Sequence, residues 1–363
     1  MNRPFDRNIV ALDIGSSGVR AGQFSVSGRR PRLDRYATAP LPTGAVTAGL
    51  IVDPAAVGKA LKQLWSAGKF QTKQVVFSVA NDRVLVRQLD LDWMEPADFR
   101  KALSYSVADQ IPMALDDANL DYHVLEDIAA VPELGLDRTL RILLVAATRD
   151  MVETFVSALD MAGLSPVQAE LAPFALIRAA APATQPADAD TAEAIVDIGA
   201  DTLTVVAHTG GRPRFVRTVG SLGGRLITGE LQQKFGWTFD EAEEAKASYG
   251  LPRPRAAGDL GIDHPAQRAM EERVAAVVAE VRTTLNFFLG AGTGVTKLSR
   301  IVLTGGGSLL AGLGERIGEA MHTPVVGLTP PDTVKLTGVK SSDLNGAGSV
   351  ALLSGLALGV ASR

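Results

Sequence analysis

The chain has no cysteine and only 4 histidines in 363 residues. Without thiols there is no disulfide, no thiolate nucleophile and no Cys-ligated metal, which is in keeping with a reducing compartment. His123, His208, His264 and His322 are scattered without metal-ligand spacing and read as structural or surface residues. Aromatic residues make up 5%, too few for a stacking platform along single strands. Neither sign of charge dominates: 36 Lys+Arg stand against 40 Asp+Glu, a formal net charge of −4. With no long basic run, this argues against nucleic-acid binding. No apolar run reaches the roughly 17–25 residues of a spanning helix. The longest, Ser349 to Ala361, reads as a buried helix, since it lacks the charged face of a membrane-lying one. No apolar signal-peptide core follows the charges of residues 1–7. Neither a P-loop nor a Rossmann glycine fingerprint occurs.

What the chain does have is a hydrophobic fraction of 46%, ample for a core, and a length that suggests about two domains. It also repeats itself. Asp13-Ile14-Gly15 follows the β-branched pair Ile9-Val10, and Asp197-Ile198-Gly199 follows Ile195-Val196, 184 residues later. In each copy a second apolar run follows the glycine and closes in a Gly turn. Strand, Gly turn, strand, given twice at half-chain spacing, indicates two similar domains. Between the copies, Asp53-Pro54 reads as a helix start, with Val57, Leu61 and Leu64 on one face. Asp150 reads as the cap of a second helix. Val274, Val277, Val278, Val281, Leu285 and Phe288 form the stripe of a third. Strands are expected at 74–79, 84–91, 141–147 and 300–303, which gives an α/β class. Residues 179–191 and 250–265 read as connectors.

The Gly turns carry the chemistry. A Gly turn after a strand exposes backbone N–H groups that cradle phosphate oxygens. Gly15, Ser16 and Ser17 supply such a turn, with Arg20 as a nearby cation. Gly199 and Thr202 would form the opposing clamp. Gly305, Gly306 and Gly307 make a third turn, flat enough to admit a base or ribose. Asp13 and Asp197, each at a strand end, are the natural pair for Mg²⁺, held mostly through water against nucleotide phosphates.

Paired Asp-Ile-Gly turns with a late Thr-Gly-Gly-Gly turn resemble the actin-like ATPase superfamily. Within it, the ordered set of Ile51-Val52-Asp53-Pro54, Gln110-Ile111-Pro112, Ala147-Thr148-Arg149-Asp150, Ala162-Gly163-Leu164 and Pro173-Phe174-Ala175-Leu176 resembles the PilM family of type IV pilus assembly proteins over nearly the whole chain. The resemblance implies two ribonuclease H-like halves around a nucleotide cleft, with an FtsA-type 1C subdomain. Subdomain 1A would comprise 1–89 and 164–190, 1C 90–163, 2A 191–222 and 300–363, and 2B 223–299. The last helix would return toward 1A. ATP and Mg²⁺ would lie in the cleft, and Glu243 and Lys246 match positions at the adenosine end. Read from the residues alone, those two sit equally well on a solvated helix face.

The sequence departs from the family in three places. Arg20 stands where Lys is common, which trades a compact ammonium for a planar fork. Asp201 stands where a small residue is usual, and would repel phosphate unless it faces away or meets the metal. Ala172 stands where relatives carry the Glu that orients attacking water. Glu170, two residues earlier, is the one weak candidate for that role. Loss of a positioned base costs roughly 10²–10⁴ in rate, so nucleotide binding with weak or absent hydrolysis is expected.

The resemblance implies a cytoplasmic scaffold, peripheral at the inner face of the cytoplasmic membrane. It would bind the N-terminal cytoplasmic peptide of PilN in a groove involving 1A and 1C. Other pilus assembly proteins, including the motor ATPase, are further expected partners, and membrane contact is indirect. Two alternatives stand beside it. One is an FtsA-like filament-forming division protein. The other is a small-molecule kinase of the superfamily, which would need a carboxylate base facing its substrate.

Overall fold

A computed structural model describes residues 8–26, 30–181, 188, 190–252, 264–292, 294–330, 334–337 and 347–361. Strands β1 (Asn8–Ile14), β2 (Gly18–Ser25) and β3 (Arg32–Pro40) form an antiparallel meander. A short ribbon of β4 (Val46–Thr47) and β5 (Leu50–Ile51) leads into α1 (Pro54–Gly68). The start of α1 follows the sequence signal: Asp53 accepts the Ala56 amide at 2.9 Å, and Pro occupies the first turn. Strand β6 (Gln74–Val79) returns parallel to β1.

A small unit is inserted next. Strands β7 (Leu85–Asp92), β8 (Ala118–Ile128) and β9 (Thr139–Thr148) form a sheet in the order β7-β9-β8. One face of this sheet packs on α2 (Pro96–Ser106) through Ile142, Leu144 and Ala146 against Phe99 and Leu103. The chain then re-enters the first half through α3 (Arg149–Met161), β10 (Ser165–Leu171) and α4 (Ala172–Ala180).

The second half repeats the first. Strands β11 (Thr191–Ile198), β12 (Thr202–Thr209) and β13 (Arg212–Gly220) form the meander. Its insertion is helical: α5 (Gly224–Phe235), α6 (Phe239–Tyr249) and α7 (Pro265–Gly290). Then come β14 (Lys297–Thr304), α8 (Leu313–Met321), β15 (Val325–Gly327), β16 (Lys335–Leu336) and α9 (Ala347–Ala361).

The two main sheets are ordered β10-β6-β1-β2-β3-β16 and β13-β12-β11-β14-β15. With β16 set aside they have the same topology, an antiparallel meander followed by two parallel strands. The Asp-Ile-Gly repeat is therefore a repeat of architecture. Both Asp residues end the central strand, β1 or β11, at the same edge of their sheets.

Packing shifts the expected limits of the inserted unit. Strand β7 already starts at Leu85. Helix α3 sends Met151, Phe155, Ala158 and Leu159 into the core of the first sheet. The three-stranded unit is thus 85–148 rather than 90–163. The cap of α3 also differs: Thr148 is the N-cap and Asp150 lies inside the first turn, its carboxylate on the Met151 amide. Of the two expected connectors, 182–187, 189 and 253–263 lie outside the described residues.

The apolar run at 349–361 is a buried helix. Leu353, Leu356 and Val360 of α9 cover Ile9, Ala11, Phe24 and Val76 on the first sheet. Burial of each such side chain is worth about 1.5–3 kcal/mol. Where α9 crosses α4, a Cβ on Gly355 would overlap the Ala175 carbonyl. Glycine there lets the two helix backbones meet.

Candidate nucleotide cleft and partner groove

The ends of β1 and β11 face each other across a cleft, and each turn that follows is a tight hairpin. Gly15 donates to the Gly18 carbonyl at 3.0 Å, and Gly199 donates to the Thr202 carbonyl at 2.8 Å. These turns bring Gly15, Ser16, Ser17 and Arg20 from one half, and Gly199 and Thr202 from the other, into one lining. Gly305 and Gly306 join them from the end of β14. Gly305 has φ +84°, and a Cβ there would overlap the Ile198 carbonyl and the Asp197 carboxylate. A residue with no side chain is required. Gly307 packs against Ile198 and lies beside Gly224.

Asp13 and Asp197 both line the cleft. Asp13 accepts the Ser78 hydroxyl at 2.9 Å and faces the Arg20 guanidinium at 3.6 Å. Asp197 keeps a small opening to the cleft. Burial pushes its carboxyl up to about 6, the Asp13 charge adds to the rise, and Arg20 opposes it. Two carboxylates lining one cleft are short of a cation, and a hydrated divalent ion suits them.

Lys246 of α6 is largely buried, not a solvated face residue, and neither it nor Glu243 is among the residues that line the cleft. Its Nζ donates to the Gly224 carbonyl at 3.1 Å, Thr228 Oγ1 at 2.9 Å and Glu243 Oε1 at 2.8 Å. Glu243 also accepts from Thr228. This cluster ties α6 to the start of α5, next to the third Gly turn.

Asp201 faces away from the phosphate loops. Its carboxylate accepts the Ala48 amide at 2.7 Å, from the ribbon of the first half. The repulsion expected from a carboxylate in this loop is avoided because the group serves as a strap between halves.

Glu170 does not reach the cleft. It forms an ion pair with Arg178 on α4, and Arg178 also donates to the Gly355 carbonyl of α9 at 3.3 Å. The chain turns from β10 into α4 between Glu170 and Ala172, so the two side chains do not share a face. Ala172 lines the cleft, whereas Glu170 lines a different groove. Glu170 therefore does not take the water-orienting role for which it was the candidate.

That groove lies over the face of the three-stranded sheet that α2 leaves open. Leu143, Val145 and Ala147 of β9 form its floor, and Leu120 to His123 of β8 one wall. Gln168 to Leu171 of β10 and Phe174, Ile177 and Arg178 of α4 form the other. Three sheet-edge strands, β8, β10 and β13, border it. The resemblance implied a groove between 1A and 1C but no residues for it, because its lining is spread from Val79 to Pro213 and meets only through the insertion. Arg225 of α5, whose Nη2 donates to the Ser16 carbonyl at 2.7 Å, was also missed. The available signal was its place after Gly223-Gly224, at the end of the second meander.

Two duplicated halves, with phosphate-type hairpins facing each other and a Gly turn closing the cleft, define the actin-like class. Within that class the chain belongs to the PilM family of type IV pilus assembly proteins, whose family model matches residues 11–361. It is similar to a chain of a PilM–PilN type IV pilus biogenesis complex, at 25% identity and a TM-score of 0.82, covering 99% of this chain and 100% of that one. The ethanolamine utilization protein EutJ of Carboxydothermus hydrogenoformans matches at 15% identity and a TM-score of 0.53, covering 98% of this chain and 91% of that chain. An MreB of Spiroplasma citri solved with AMPPNP matches at 13% and 0.55, covering 98% and 96%. These last two share the fold.

Proposed function

We propose that this chain is an ATP-binding scaffold of the type IV pilus inner-membrane alignment complex. In this reading it binds the cytoplasmic N-terminal segment of PilN in the groove over the three-stranded sheet. The observation that carries this is the groove itself. Val145, half-buried, sits with the buried Leu143 and Ala147 on an apolar floor beside three sheet edges, in a chain that matches a chain of a PilM–PilN complex over 99% of its length. An extended segment with apolar side chains suits such a floor. No helix among the described residues is long and apolar enough to cross a membrane. Attachment at the inner face of the cytoplasmic membrane would come through PilN. Contacts with other pilus assembly proteins, the motor ATPase among them, are part of the same proposal. We assign subdomain 1C, of FtsA type, to 85–148. Subdomain 1A is the first sheet with α3, α4 and α9, 2A the second sheet, and 2B helices α5 to α7.

The test is direct. Val145→Asp places a charge on the groove floor outside the core clusters. It is expected to weaken binding of the PilN segment at least tenfold while leaving the thermal midpoint within about 1 °C. Unchanged binding overturns the assignment of the groove.

The cleft residues fit a nucleotide. Ser16, Ser17 and Thr202 offer hydroxyl donors on both sides, the hairpins at Gly15 and Gly199 shape the loops that carry them, and the required glycine at 305 keeps the wall flat. Glu243 and Lys246 would border the adenosine end. Asp13 and Asp197 would hold Mg²⁺, mostly through water, and the ion would supply positive charge against nucleotide phosphates. Arg20 is positioned to balance Asp13. No carboxylate occupies the position of a water-orienting base: Ala172 is there, and Glu170 is paired with Arg178. The same absence disfavours a small-molecule kinase. Mg²⁺-dependent ATP binding with negligible turnover is the expected result. Fast turnover on the same preparation would overturn the scaffold reading.

A further inference from the structure

Arg225 is placed where its charge has no use in the protein alone. Its backbone is fixed on the second phosphate hairpin, with its amide on the Ala200 carbonyl at 2.8 Å. The preceding Gly224 amide donates to the Gly199 carbonyl at 2.9 Å. A Cβ on Gly223 would come within 2.6 Å of the Ala200 carbonyl, so α5 starts hard against this loop. From there the side chain runs beside the cleft lining to the other half, and Nη2 donates to the Ser16 carbonyl of the first phosphate hairpin at 2.7 Å. Its Nε is buried and has no hydrogen-bond partner. Among the described residues no carboxylate pairs with it. The nearest acid of that loop, Asp201, is turned to the Ala48 amide. Helix α5 adds no acidic residue in its first turn and no side-chain cap. Its N-terminus therefore contributes positive character at the same point.

Arg20 differs. It faces Asp13 at 3.6 Å, so its charge is already balanced. Arg225, by contrast, has no carboxylate partner among the described residues. A buried donor and an unbalanced cation between two phosphate-type loops call for an anion with several oxygens.

We propose that Arg225 is a phosphate-binding residue that senses the terminal phosphate of the bound nucleotide and, through Ser16, ties the two halves together. The proposal rests on the nucleotide-binding reading above and adds a residue and a selectivity to it. Planar, multidentate donation is what distinguishes Arg from Lys at such a site. The group therefore favours a triphosphate over a diphosphate, and it couples that choice to closure of the cleft.

The experiment is titration calorimetry of the full chain with Mg·ATP and Mg·ADP, for wild type, Arg225→Gln and Arg225→Lys. Thermal midpoints without nucleotide serve as the folding control. Arg225→Gln is expected to weaken ATP about tenfold or more and ADP less than threefold, so the ATP/ADP preference falls. Arg225→Lys restores only part of it. If Arg225→Gln binds both nucleotides as wild type does, or loses both equally, the selectivity is overturned and the nucleotide reading stands. If wild type binds neither nucleotide, the nucleotide reading itself fails and this inference falls with it. Should Arg225→Gln lower the midpoint by more than a few degrees, the Arg225→Lys preference decides alone: a wild-type ATP/ADP ratio there overturns the proposal.

Discussion

Asp197 works against the stability of the empty protein. Its carboxyl is raised from 3.8 to about 6, so above 3.8 the unfolded chain releases this proton more readily than the folded one. The cost grows as pH rises through that window and is complete above about 6. Two outcomes follow at this scale. Asp197→Asn should raise the stability of the nucleotide-free protein at pH 7.5 by about 1–3 kcal/mol and abolish the Mg²⁺ dependence of nucleotide binding. Denaturation and titration of one preparation check both. In the wild type, Mg²⁺-dependent affinity should fall as pH drops below about 6, because the protonated carboxyl no longer attracts the ion. Gly305→Ala should abolish nucleotide binding, since φ +84° and the Ile198 carbonyl leave no room for a methyl group. Asp13, Asp197 and the Gly turns were legible in the sequence because strand-end chemistry is local and was written twice. The direction of Asp201, the pairing of Glu170 with Arg178 and the reach of Arg225 were not. Each depends on what lies across a cleft or on another helix, and no periodicity encodes that.

Elements were easier to read than their ownership. The strand expected at 74–79 is β6, and those at 84–91, 141–147 and 300–303 differ from β7, β9 and β14 by a few residues at their ends. The stripe from Val274 to Phe288 is the buried face of α7. The sequence reading placed α3 with the insertion, but its apolar face belongs to the first core. A helix stripe says that a face is buried without saying under which sheet. The α4–α9 crossing gives the prediction at this scale. Gly355→Ala adds helix propensity worth about 0.8–1 kcal/mol. It also drives a methyl into the Ala175 carbonyl, and such overpacking costs about 1–3 kcal/mol. The net outcome is a lower thermal midpoint, and a higher one would show that the helices can separate at no cost.

At the scale of the whole molecule, the two halves meet through few polar contacts beside the phosphate hairpins: Asp201 to the Ala48 amide and Arg225 to the Ser16 carbonyl. Removing the first should loosen the cleft. Asp201→Ala is expected to raise the radius of gyration of the nucleotide-free protein in small-angle scattering, and saturating Mg·ATP to reverse the change. The duplicated architecture was visible from the repeat alone, whereas the order of construction was not. Helix α9 follows the second sheet in sequence yet supplies the cover for Ile9, Ala11, Phe24 and Val76 of the first. During synthesis the second sheet and its helices can complete their own core while the first sheet still shows one oily face to solvent. The sheet that comes earlier in sequence thus closes after the later one. In the interval a chaperone that holds exposed apolar strands has a defined client surface.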